Sequence, residues 1–204
     1  MKLGIFGGTF DPIHNAHLFV AESARVSEGL DRVLFVPTNN QHYRNGAIVD
    51  SAHRCAMILG AIASNRAFAL DDSDLQADAS GYTADLIPRL KERYPEARFT
   101  FLIGADSLVN APWVRFDEVL DGLERFVIAP RAGVKNDALA RVIAAIPGHL
   151  RERVGTLNVP ELPESATLVR SLLEQGRSVR YLVPEPVWHY LRSHRLYGQH
   201  QGTA

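Results

Sequence analysis

Residues 3–17 read LGIFGGTFDPIHNAH. Leu3 to Phe6 is a short apolar run that ends in Gly7-Gly8, which predicts a buried strand stopping at a tight turn. From His17 to Gly29 the spacing is helical, with Leu18, Ala21 and Ala24 on one face and Gly29 placed to end the helix. The turn between them is therefore at the carboxyl end of a strand, where open α/β sheets bind ligands. Gly7 and Gly8 carry no side chains, so a phosphate or an adenine can approach the backbone closely. His14 and His17 are three apart at the helix start, a spacing that lets both rings face one side. The helix N-terminus adds free N–H groups and partial positive charge. Together these features predict a pocket for a polyphosphate. The glycine and lysine spacings of the Walker loop and of the dinucleotide fingerprint are absent. Zinc held by Asp11, His14 and His17 is the alternative, since these are proper zinc ligands.

Strand-like and helix-like segments alternate outward from this turn. Arg32–Val36, Ala67–Leu70, Phe99–Ile103, Glu124–Ala129 and Gly155–Val159 read as strands. Ser51–Ala63, Thr83–Arg93 with a kink at Pro88, Asp137–Ile146, Thr167–Gln175 and Glu185–His194 read as helices, Ser51 capping the first. Thr38–Asp50 is polar and contains Asn39-Asn40 and Asn45-Gly46, so it reads as a loop, long enough to suggest a lid. The alternation is that of an α/β protein with a doubly wound parallel sheet. No repeat or linker divides the chain, so residues 1–204 are read as one domain, whose helices from about residue 165 complete the phosphate site.

Composition narrows the function classes. Apolar residues make up 46% and charged residues 22%, ordinary values for a globular chain of 204 residues. The formal net charge of −1 argues against broad electrostatic capture of nucleic acid or anionic membrane. A single cysteine, Cys55, excludes an internal disulfide framework, and a reducing, cytoplasmic setting is the default. The opening apolar run is too short for a signal peptide and is broken by Asp11 and His14, and no stretch approaches a membrane span. Homo-oligomerisation is left open.

A second constellation lies near the C-terminus, in Ser165-Ala166-Thr167-Leu168-Val169-Arg170. Ser165 or Thr167 can cap the following helix, and Arg170, one turn in, can face an anion drawn to the helix start. The central strand ends in Gly104-Ala105-Asp106, which sets a carboxylate at a strand's carboxyl end, suited to a ribose hydroxyl or a magnesium-bound water.

GGTFDPIHNAH resembles the N-terminal signature of the HxGH nucleotidyltransferase superfamily, and the longer GIFGGTFDPIHNAHL is similar to bacterial nicotinate-nucleotide adenylyltransferases in particular. Ser165, Thr167 and Arg170 match that family's second signature, Ser-Ser-Thr-x-x-Arg, and GRSVRYLVPEPVWHYLRSHRLY resembles its C-terminal end. Three departures are visible. Ala16 stands where the family has Gly, Ala166 replaces the second serine, and Gln41 precedes His42 where the family has Pro-Pro-His-Lys. The resemblance implies a Rossmann-like fold and transfer of AMP from ATP to nicotinate mononucleotide. The products are nicotinate adenine dinucleotide and pyrophosphate, in NAD synthesis. It implies catalytic roles for His14, His17 and Arg170, and ATP contacts from Gly7, Gly8, Thr9, Phe10, Gly104, Asp106, Arg131, Ser165 and Thr167. For the mononucleotide it implies Tyr82 and Thr83 at the nicotinate carboxylate, Trp113 stacked on the pyridine ring, and His42 and Arg44 from the long loop. Mg²⁺ is implied through the ATP phosphates, without a protein metal site of its own. The alternatives within and beside this family are a pantetheine-phosphate adenylyltransferase and a nucleotide-binding protein weakened in catalysis by the three departures.

Overall fold

The computed structural model describes residues 1–38 and 49–198. Six strands form one sheet: β1 (Lys2–Gly8), β2 (Arg32–Pro37), β3 (Phe68–Leu70), β4 (Arg98–Gly104), β5 (Arg125–Ala129) and β6 (Val154–Thr156). They are ordered β3-β2-β1-β4-β5-β6, and all neighbouring strands are parallel. Nine helices connect or follow them: α1 (Asn15–Ser27), α2 (Ser51–Ile62), α3 (Thr83–Arg93), α4 (Ala105–Asn110), α5 (Phe116–Asp121), α6 (Asn136–Ala145), α7 (Gly148–Arg151), α8 (Ala166–Glu174) and α9 (Glu185–Ser193), among the described residues.

The strands are apolar on both faces because helices cover both. Phe6, Val33, Phe35, Leu102 and Val127 pack with Ala21 and Ala24 of α1, Met57 and Ile58 of α2, Val169 of α8 and Val187 of α9. Leu3, Ile5, Phe101, Ile103, Phe126 and Ile128 pack on the other side with Ile87 and Leu90 of α3, Leu108 of α4 and Leu120 of α5. Two cores back to back define the doubly wound arrangement. The strand order reverses between β1 and β4, which pair directly, Phe6 opposite Leu102. Their connections leave in opposite directions, and a crevice opens beyond their carboxyl ends.

Several boundaries differ from the sequence reading. Helix α1 starts at Asn15 rather than His17, because His14 adopts the extended conformation of an N-cap (φ −140°, ψ 170°). Ser51 is the first residue of α2, with Asp50 before it at the N-cap position. Helix α3 runs unbroken through Pro88, and β6 ends at Thr156. Helices α4, α5 and α7 are too short for sequence periodicity to mark them. No helix among the described residues is long and apolar enough to cross a membrane.

Candidate active site

A cleft of about 750 Å³ occupies the crevice above β1 and β4, within the size range of small-molecule sites. Its lining includes Gly7 to Asp11, His14, His17, Arg131, Ser165, Thr167 and Arg170, together with Tyr82, Thr83, Gly104, Asp106, Ser107 and Trp113. Every sequence-nominated residue lines this cleft except His42 and Arg44, which lie, with Gln41, outside the described residues. Ala16 and Ala166 line it too.

The histidine pair is fixed by the helix start that carries it. The two rings stack at 3.7 Å between centroids and 28° between planes. The backbone N–H of His14 donates to Nδ1 of His17 at 3.2 Å, the reach-back of a third-position side chain to an N-cap amide. A neutral His17 that accepts at Nδ1 carries its proton on Nε2, which is then a donor. Phe6 and Phe10 meet the His17 ring edge-on, with centroids at 5.9 and 5.1 Å, so its orientation is enforced by packing. His14 is only 1% exposed. Burial, reinforced by the positive charge of Arg131, lowers its pKa to about 3. Burial also holds His17 well below its ordinary value, aided by His14 and Arg131. Both imidazoles are therefore neutral hydrogen-bonding groups near pH 7, and the positive charge of the cleft comes from Arg131 and Arg170.

Arg170 reaches the turn from α8. Its Nη1 donates to the backbone carbonyl of Asp11 at 2.7 Å, and Nη2 donates to Thr167 Oγ1 at 3.3 Å. The guanidinium is thus anchored beside the histidines across 159 residues of sequence. Ser165 is the N-cap of α8; its Oγ accepts from the Leu168 N–H at 3.1 Å. Ser165, Ala166 and Thr167 at that helix start line the cleft, where first-turn amides lack partners within the helix.

At the strand end, a Cβ on Gly104 would lie 2.6 Å from Asp106 Oδ1. Glycine is needed there for the carboxylate of α4's first turn to fold back over the end of β4. Tyr82, also in the wall, is the N-cap of α3 and Thr83 its first residue. Trp113 meets Phe116 at 4.8 Å and Phe126 at 5.7 Å between centroids, so one aromatic cluster holds the indole in the wall.

Residues missed by sequence reasoning lie behind the turn. Arg54 of α2 is 1% exposed, and its Nη1 donates to the carbonyl of Thr9 at 2.7 Å. Tyr197 donates its hydroxyl hydrogen to Asp11 Oδ1, in a fully buried contact. Asn15 anchors the start of α1 to the chain before α9: its backbone N–H donates to the Leu182 carbonyl at 2.9 Å and its Nδ2 to the Tyr181 carbonyl at 2.6 Å. No local pattern marks Arg54 or Tyr197, because each acts on residues 45 or 186 positions away. The zinc alternative does not fit this arrangement. Asp11 Oδ1 is engaged by Tyr197 and His17 Nδ1 by the His14 amide, and no group of three His, Cys, Asp or Glu among the described residues could hold a metal ion.

Residues 5–171 match the cytidylyltransferase-like family model. A relative from Synechococcus sp. (strain JA-3-3Ab), described as a "probable nicotinate-nucleotide adenylyltransferase", is 37% identical over 96% of this chain and 94% of its own length. One from Geobacter sulfurreducens with the same description is 38% identical over 99% of this chain and all of its own. Among solved structures, the Plasmodium falciparum nicotinic acid mononucleotide adenylyltransferase complexed with NaAD superposes with a TM-score of 0.78, covering 98% of this chain and 99% of that one. At 20% identity that last likeness is one of fold. By the extent and identity of the sequence matches, this chain belongs to the nicotinate-nucleotide adenylyltransferase family within the cytidylyltransferase-like proteins.

Proposed function

We propose that this protein transfers AMP from ATP to nicotinate mononucleotide, forming nicotinate adenine dinucleotide and pyrophosphate in NAD synthesis. The observation that carries the reading is the convergence of the stacked His14–His17 pair and Arg170, anchored on the Asp11 carbonyl, on a single cleft that Tyr82, Thr83 and Trp113 also line. The two sets of residues suit a triphosphate and a flat ring bearing a carboxylate. Free amides at the start of α3 favour the carboxylate, and the Trp113 face suits the ring.

In the reaction the 5′-phosphate of nicotinate mononucleotide attacks the α-phosphorus of ATP in line. A new P–O bond forms, the bond to the bridging oxygen of the β-phosphate breaks, and pyrophosphate leaves. No general base is required, because a phosphate monoester is already largely ionised at pH 7. The protein's tasks are to hold two anions together and to meet the charge that develops at the α-phosphate. Arg170, Thr167 and Ser165 hold the β- and γ-phosphates. His14 and His17 act as neutral donors to the phosphate oxygens, His17 through Nε2–H. Arg131 adds positive charge close enough to lower both imidazole pKa values. Gly7, Gly8, Thr9 and Phe10 line the path of the nucleotide, and Asp106 faces its ribose or a metal-bound water.

The donor set of the cleft fits Mg²⁺ that arrives with ATP. Its lining carboxylates are hard oxygen donors without a three-ligand cluster among the described residues, which suits an ion that keeps waters and takes phosphate ligands. When bound, the ion neutralises phosphate charge. A cytoplasmic setting agrees with the lone Cys55, half-buried and unpaired.

The test is pyrophosphate release from ATP and Mg²⁺ with nicotinate mononucleotide, nicotinamide mononucleotide or phosphopantetheine offered separately. Turnover highest with nicotinate mononucleotide is expected. Turnover only with phosphopantetheine, or silence with all three, refutes the assignment.

A further inference from the structure

The turn 9–14 is held partly from outside. Its carbonyl and carboxylate groups are gripped from outside by three side chains belonging to distant elements. Arg54 of α2 donates to the Thr9 carbonyl, Arg170 of α8 donates to the Asp11 carbonyl, and Tyr197, just past α9, donates to the Asp11 carboxylate. Two of the three, Arg54 and Tyr197, are buried behind the turn, at 1% and 7% exposure, and neither lines the cleft. Burying an arginine so completely is unfavourable unless its charge and donors are met. The Thr9 carbonyl accepts from Nη1, and the attraction of Asp11 opposes the lowering of the Arg54 pKa by burial, while Nε is buried with no hydrogen-bond partner among the described residues. Burial and the Asp11 hydrogen bond together raise the Tyr197 phenol well above its ordinary value, so it remains a donor at any working pH.

We propose that Arg54 and Tyr197 are positioning residues that set the register of the phosphate-binding turn and, through the Asp11 carbonyl, the aim of the Arg170 guanidinium. The inference rests on the nucleotidyl-transfer reading above. The logic is geometric. Arg170 takes one of its fixed points from the Asp11 carbonyl, and the Asp11 carboxylate is held by Tyr197. Loss of the Tyr197 hydroxyl removes a tether on Asp11 without removing any atom of a residue that lines the cleft. Arg54 fixes the near end of the same turn, two residues before Asp11. A guanidinium displaced by a fraction of an ångström still binds the ground-state phosphates, which are flexible and multiply held. It serves the in-line geometry less well.

The test is a double-mutant cycle on turnover. Tyr197→Phe is expected to lower kcat about tenfold, in keeping with the roughly hundredfold penalty of a 1 Å misplacement, while KM for ATP changes less than about twofold. In an Arg170→Ala background the same substitution is expected to lower the residual kcat by less than about twofold, because the group it aims is gone. Arg54→Lys, which keeps the charge but loses the planar fork, is expected to reproduce the kcat-specific loss at a midpoint of thermal unfolding close to that of the parent. An equal fall from Tyr197→Phe in both backgrounds would show a general structural role and overturn the proposal, as would an unchanged kcat. A parent protein silent with every acceptor refutes instead the nucleotidyl-transfer reading on which this inference rests.

Discussion

Lowering the pH from 7 to 5 protonates histidines in the unfolded chain that the native protein keeps neutral. His14 makes this measurable. Its ordinary pKa is 6.5 and its folded value about 3, because burial and then Arg131 disfavour the charged form. A histidine whose folded pKa is depressed contributes no penalty above pH 6.5. Below that value the unfolded state binds the proton and the native state does not, so stability falls with pH until the folded pKa is reached. Integrated from pH 7 to 5, that single group removes about 2 kcal/mol, from roughly 1.4 kcal/mol per pH unit once protonation of the unfolded chain begins. For a chain of 204 residues that corresponds to a fall in the unfolding midpoint of about 4–8 °C. His17 acts in the same direction, and its shift is partly caused by His14. The assay is urea unfolding of the parent and of His14→Gln at pH 7 and pH 5. The difference between the two proteins cancels the contributions of the carboxylates and the surface histidines. His14→Gln is expected to lose at least about 2 kcal/mol less than the parent over that interval. Parallel losses in the two proteins would refute the claim that His14 is buried in its neutral form.

His17→Ala is expected to lower kcat about a hundred- to thousandfold, the loss typical of one donor to developing charge, with the variant still folded by circular dichroism; near-normal turnover rejects its role. Ala166→Ser restores a hydroxyl at the first residue of α8, on the cleft wall. It is expected to lower KM for ATP about five- to tenfold, the effect of roughly 1–1.5 kcal/mol from one hydrogen bond to a charged oxygen. An unchanged KM would place residue 166 out of reach of the phosphates.

The sequence made the cleft legible where chemistry and local pattern coincide. Gly7-Gly8, His14 and His17 sit within one turn between a strand and a helix, and Ser165 to Arg170 sit within one helix start, so spacing alone brought each set together. Their meeting in space follows from the parallel topology, which the alternation of strand and helix implied. The helices α4 and α5 have six residues each, fewer than two turns, too short for a 3.6-residue period to declare itself. The start of α1 was misjudged because a histidine at the N-cap lacks the signal of Ser, Asp or Asn, and its compensation comes from the ring of His17. Arg54 sat unnoticed within an apolar helical pattern, where an arginine ordinarily marks a solvated face. Its burial depends on a carbonyl contributed by a turn 45 residues earlier, which no window of sequence contains.

The contacts from Asn15 to Tyr181 and Leu182 and from Asp11 to Tyr197 also bear on the order in which the protein is made. The glycine turn leaves the ribosome well before its last tethers, 166 to 186 residues further along the chain. A nascent chain can pair its opening strand with β2 and later with β4, yet the loop between strand and helix lacks its restraints until translation has passed residue 197. The cleft in the geometry described above is therefore complete only once residue 197 has been made, and deletions that remove Tyr197 are expected to disable a pocket whose own lining they leave intact.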